Sequence, residues 1–126
     1  MNQLLISIAF FTCTLLCACN SNHSMGGKTK YKARFEVAGI CSNYTFSVVE
    51  GNIDTSLVVA NWTDPQTDKT YKNAFGVKNP CILPADLKQG DTFYFVIDEN
   101  PPKNECIVCM AYYPTPEKSL DIKIVK

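Results

Sequence analysis

Residues Lys30 to Val37 read KYKARFEV, and residues Tyr44 to Val49 read YTFSVV. In the first stretch Lys30, Lys32, Arg34 and Glu36 alternate with Tyr31, Ala33, Phe35 and Val37. A period of two marks a strand with one wet and one apolar face, because successive side chains of an extended chain point to opposite sides. In the second stretch Tyr44, Phe46 and Val48 alternate in the same way with Thr45, Ser47 and Val49. The basic residues of the first stretch are therefore read as the solvated face of a strand. A lipid-binding cluster is not needed to account for them.

Outward from this pair the pattern repeats. Gly51-Asn52 and Asp54 mark a turn, Leu57 to Trp62 is a more fully apolar run, and Asp64-Pro65 closes it. Tyr71 to Val77 is a weaker extended segment. Pro84 to Gly90 suits one helical turn ended by glycine, before Thr92 to Ile97, TFYFVI. Asn100-Pro101-Pro102 stops that run, and Cys106 to Tyr113 and Leu120 to Val125 follow, separated by Pro114-Thr115-Pro116. No window carries an amphipathic helix of three turns. The expected fold is all-β: a small antiparallel barrel or sandwich of six to seven short strands, disulfide-stapled, over residues 31–126.

A chain of 126 residues holds one such domain and a targeting segment. Twelve basic and twelve acidic side chains cancel. A neutral domain projects no field that would gather nucleic acid, so none is expected as a partner. The first charged side chain is Lys28, and upstream of it Leu4 to Leu16, LLISIAFFTCTLL, is apolar on every face. Thirteen residues are too few for a bilayer-crossing helix, which needs about 20, but they match the apolar region of an export signal. Asn20 to Lys30, NSNHSMGGKTK, is polar and glycine-containing and reads as a flexible tether. Gly27-Lys28-Thr29 within it is not a phosphate loop. Asn22 stands where that loop needs its first glycine, and no strand precedes it.

The apolar run ends Leu16-Cys17-Ala18-Cys19, which resembles the lipobox of bacterial lipoproteins: a large aliphatic residue, a small one, Gly or Ala, then Cys. Leu16, Ala18 and Cys19 match at their places, while Cys17 stands where Ala, Ser or Thr is usual. The resemblance implies an export signal over 1–18, a diacylglycerol on the Cys19 thiol, and a lipidated cysteine and tether over 19–30. It also implies a membrane partner through that anchor and a place in the cell envelope, extracytoplasmic, at the outer membrane or cell surface. Two or three acyl chains on one residue hold a protein firmly where one does so only marginally.

With Cys13 and Cys17 in the signal and Cys19 lipidated, four cysteines remain: Cys41, Cys81, Cys106 and Cys109. An even number in a small exported domain reads as two disulfides. Cys106 and Cys109 would face opposite sides of a regular strand, which favours bonding each to Cys41 or Cys81 and leaves the connectivity open. A competing reading takes Cys106-Ile107-Val108-Cys109 as a thiol–disulfide redox pair, although no βαβ pattern supplies the helix that activates such a thiol. A zinc site usually brings a second C-x-x-C, and the sequence has one.

The single histidine, His23, lies in the tether, which removes histidine-based catalysis and the commonest metal ligand from the domain. Asp64, Asp68, Asp98 and Glu99 fall in turn-like segments where solvation opposes a raised carboxyl pKa. Neither a metal nor a cofactor is expected, and no catalytic residue is assigned. Aromatic residues are plentiful, and Phe93 with Tyr94, and Tyr112 with Tyr113, must each place one ring on the far face. Trp62, Tyr94 and Tyr112 are the candidate binding surface, for a protein or a carbohydrate ligand. The sequons Asn43-Tyr44-Thr45 and Asn61-Trp62-Thr63 would also suit a secreted glycoprotein, but such triplets arise often by chance. The reading reached is a lipid-anchored envelope lipoprotein with a non-catalytic binding or structural β domain. The alternative is an extracytoplasmic redox module using Cys106 and Cys109.

Overall fold

The computed structural model describes residues 27–103 and 106–126. The expected export signal, Cys19 and most of the expected tether lie outside the described residues. The fold is all-β. Among the described residues seven strands form one curled sheet: β1 (Tyr31–Ala38), β2 (Tyr44–Glu50), β3 (Val59–Asp64), β4 (Lys69–Val77), β5 (Thr92–Ile97), β6 (Ser119–Leu120) and β7 (Ile122–Val125). Their spatial order is β3-β4-β2-β1-β5-β7, every neighbour antiparallel, while β6 adds to β4 in parallel.

The alternation in β1 and β2 sets the main core. Phe35 lies opposite Phe46, and Phe46 opposite Phe75, so one face carries a row of rings across three strands. Phe46 meets Phe35 at 4.9 Å, Phe75 at 5.8 Å and Phe93 at 5.6 Å between ring centroids. Phe75 on β4 and Phe95 on β5 are 5.4 Å apart although three strand boundaries separate them in the sheet, so the sheet wraps over its own core. The β6–β7 segment spans the gap: Gly76 and Val77 pair with Ser119 and Leu120, and β7 runs beside β5. That bridge to β4 is two residue pairs long, so the sheet is curled without closing into a continuous barrel. A Cβ at Gly76 would fall 2.9 Å from the Ser119 hydroxyl, so the approach of β6 to β4 depends on the missing side chain. Ile53 and Val58 from the β2–β3 loop, with Ile82, Leu83 and Leu87 from the β4–β5 connection, complete the core.

Three local expectations are corrected. Val37 does not share the face of Phe35. The register slips between Phe35 and Val37, leaving Glu36 as an extra residue, and this bulge turns Val37 to the other face of the sheet. Pro84 to Gly90 forms tight turns, with Leu87 N donating to Pro84 O at 3.1 Å, and the one helical turn nearby is the 3-10 turn at Pro80–Ile82, one prolyl segment earlier. Cys106 to Tyr113 is not a strand. The apolar run there has the composition of a strand, but crosslinks to two separate loops keep it off the sheet edges.

Because Phe46 is wholly buried and touches rings from β1, β4 and β5, Phe46→Ala should cost about 3–5 kcal/mol. Urea denaturation would read this as a lower midpoint at unchanged slope. A loss below about 1 kcal/mol would show that the core does not centre on this ring.

Candidate functional site

The sheet's second face is also covered, and its cover is built from pieces far apart in sequence. β4 pairs with β2 only at Phe75 and Ala74, opposite Phe46 and Ser47; its first half pairs with β3 alone. At the break stands Asn73, with a φ of 49° that interrupts the alternation. The β3–β4 hairpin consequently folds across the second face. Tyr71 and Ala74 pack there with Val37 from β1, Trp62 from β3 and Tyr113 from the C-terminal segment. Trp62 and Tyr71 are cross-strand partners with rings stacked at 6.2 Å.

Asp64, at the end of β3, is wholly buried, which overturns its expected place in a solvated turn. Its burial is possible because its oxygens are satisfied. Gln66 N donates to Oδ1 at 2.9 Å, Thr67 Oγ1 donates to Oδ2 at 3.0 Å, and the Tyr113 hydroxyl donates to Oδ2 at 3.1 Å. The first two bonds shape the hairpin turn, and the third ties the C-terminal segment to it. Burial, the hydrogen bond to Asp64 and the charge of that carboxylate hold the Tyr113 hydroxyl above its ordinary pKa. Burial, followed by the charges of Glu36 and Asp64, does the same for Tyr71. Nearby, Ser47 Oγ donates to Glu36 Oε1 at 2.5 Å. Each buried oxygen of Asp64 is thus committed to a structural bond, and the arrangement ties two segments together rather than offering a free base.

Two disulfides hold the same segment from the other side. Cys41 bonds Cys109, with Cα atoms 5.0 Å apart, and Cys81 bonds Cys106, with Cα atoms 5.6 Å apart. Cys106 and Cys109 therefore bond away from each other, to opposite neighbours. Cys41 and Ser42 take left-handed backbone, φ 55° and 60°, in the 3-10 turn at Ile40–Ser42 that presents the thiol. Asn43 Nδ2 donates to Ala111 O at 3.0 Å and to Ile40 O at 2.8 Å, fixing the segment further. Gly39 is required beneath it, since a Cβ there would fall 2.9 Å from the Tyr113 ring.

The three aromatic residues singled out from the sequence have different surroundings. Trp62 is half-buried in the second-face cluster. Tyr94 lies under the Lys30 and Lys32 ammonium groups, 4.5 and 5.2 Å from its ring centroid. Tyr112 stands out in solvent beside its half-buried neighbour Tyr113. Sequence reasoning missed the Asp64–Tyr113 tie; the adjacent Tyr112-Tyr113 pair, which must split between two faces, was its one visible sign. An open groove of about 550 Å³ runs beside β7, lined by Val77, Ile82, Ile122 and Ile124 with Lys28 and Asp98, and none of the three aromatics reaches it. Among the described residues no group of three or more His, Cys, Asp or Glu side chains is placed to hold a metal, and no helix is long and apolar enough to cross a membrane. No family model, curated protein or solved structure matches the chain.

A raised folded-state tyrosine pKa means stability that is fully present below about pH 10 and is lost as pH rises through the folded value. Tyr113→Phe should accordingly remove a late-ionising phenol from the ultraviolet titration curve and delay alkaline unfolding. Loss of a phenol from the ordinary range would contradict the tie to Asp64.

The crosslinks close loops with sequence separations of 68 and 25 residues, each contributing about 3.5–4.5 kcal/mol in the chain-entropy model. The oxidised protein should show no free thiol at these four positions, and reduction should lower its melting temperature markedly. Reduction of Cys106 and Cys109 alone with no change in Trp62 fluorescence would argue for a labile redox pair instead.

Proposed function

We propose that this chain is a lipid-anchored lipoprotein of a bacterial cell envelope, whose β domain binds or supports a partner without catalysis. The observation that carries the reading is the pair of disulfides, which cross between separate parts of the domain. Crosslinks of this kind persist in an oxidising, extracytoplasmic compartment. The motif Leu16-Cys17-Ala18-Cys19 supplies an anchor suited to that compartment, and the polar stretch from Asn20 leads from it to β1. The non-catalytic part rests on the commitments of the buried polar groups: Asp64 to Gln66, Thr67 and Tyr113, and Ser47 to Glu36. A redox module would need Cys106 and Cys109 to bond each other, and each is engaged elsewhere. The partner's chemistry is that of a protein or a carbohydrate surface.

Replacing the anchor tests this. Cys19→Ser should move the protein from membranes to the soluble fraction and abolish its labelling by fatty acid. A variant that stays membrane-bound and labelled would refute the lipobox assignment.

A further inference from the structure

The segment held by the two disulfides presents its apolar side chains to solvent. Met110 is 99% exposed, Ile107 94%, Tyr112 82%, and Ile40, beside the crosslinked Cys41, 59%. Ile107, Met110 and Tyr112 lie within six residues of one another and Ile40 adjoins the Cys41–Cys109 crosslink, and small soluble domains rarely gather such side chains in water without a use for them. From Cys106 to Ala111 no side chain is charged or able to form a strong hydrogen bond, and Tyr112 adds a hydroxyl at the border. The group is also rigid. Cys106 is pinned to Cys81, Cys109 to Cys41, and Ala111 O accepts from Asn43. Rigid presentation removes most of the ordering cost of burying these side chains against a partner.

We infer that this apolar tip, Ile40, Ile107, Met110 and Tyr112, inserts into the interfacial region of a lipid bilayer. Side chains exposed beyond nine-tenths have protein neighbours on almost no side, so their partner must surround them. Acyl chains do this without directional demands, whereas a protein pocket would have to be shaped around each. A tyrosine at the rim of an apolar group suits the headgroup level, ring inward and hydroxyl outward. The chain's balanced charge makes the attachment hydrophobic and not electrostatic.

The chain outside the described residues allows it. Cys19 precedes Gly27 by eight residues, a reach of about 28 Å at full extension. β1 begins where the tether arrives and ends next to the tip, eight residues and about 26 Å away. A domain anchored at one pole can therefore lie down and touch the same bilayer with the other. This proximity rests on the lipid-anchor reading; the chemistry of the tip does not.

The test uses the full chain with Trp62→Phe and Met110→Trp, leaving one indole as reporter, in phosphatidylcholine vesicles with brominated acyl chains. Labelling by fatty acid scores the anchor, and fluorescence scores the tip. Emission shifted to the blue and quenched severalfold by bromine, unchanged in high salt, is the expected result. A chain that is not labelled is mixed with the same vesicles from solution, so loss of the anchor reading leaves the tip assay intact. In the unmodified chain, vesicles should also slow peroxide oxidation of Met110 severalfold, read by mass spectrometry. Unquenched, solvent-like emission together with unprotected Met110 overturns the inference. So does Ile107→Asp abolishing capture of a single envelope protein while Met110 stays unprotected on vesicles, which would make the tip a protein-docking element.

Discussion

Phe46 touches the rings of Phe35, Phe75 and Phe93, and Phe75 in turn meets Phe95, so one aromatic column joins β1, β2, β4 and β5. Much else follows from this contact. Rings that large cannot all be buried by a flat sheet with one partner layer, and the sheet curls until its fourth and fifth strands face each other across the column. The curl brings the C-terminal β6–β7 segment within reach of both sides, so Leu120 and Ile122 can seal the core. A domain this small gains little more from apolar burial, and its remaining stability has to come from elsewhere.

The second face supplies part of it by ties between distant segments. The bulge at Glu36 turns Val37 to the second face, and the left-handed residue Asn73 sends the β3–β4 hairpin across the same face. Neither device buries much surface alone. Together they make a seat for Tyr113, whose hydroxyl completes the coordination of the buried Asp64 carboxylate. The disulfides then clamp the preceding residues, which have no ladder hydrogen bonds to hold them. A strap fastened by two covalent bonds and one part-buried polar contact can project apolar side chains into water without collapsing onto the core, which explains how Met110 and Ile107 stay exposed.

How much of this was legible depends on the range of the interaction concerned. The alternation of Tyr31, Ala33 and Phe35, and of Tyr44, Phe46 and Val48, is a local property, and the strands it implies are those observed. The two-face split of Tyr112 and Tyr113 is equally local. The partition of the face beyond Phe35 was not, because a one-residue bulge leaves no mark in hydrophobicity yet moves every later side chain to the opposite side. The apolar run from Cys106 was misread as a strand for a related reason. Strand-like composition requires a partner edge, and here the covalent geometry of four cysteines overrode it. The candidate surface of Trp62, Tyr94 and Tyr112 was assembled from residue type alone, and residue type says nothing of which rings end up as neighbours.

By itself, then, the sequence determined an all-β domain with turns where Gly, Pro, Asn and Asp stand, a domain without histidine, and four cysteines beyond Lys30 available for crosslinking. These depend on backbone preferences and composition, which act within a few residues. Only the tertiary structure decided that Cys41 pairs with Cys109 and Cys81 with Cys106, that Asp64 is buried, and that one apolar segment remains outside. Each of those is a meeting between residues tens of positions apart. Loop closure allows many such meetings at nearly equal entropic cost, and the choice among them falls to the packing of the aromatic column and the bend at Asn73.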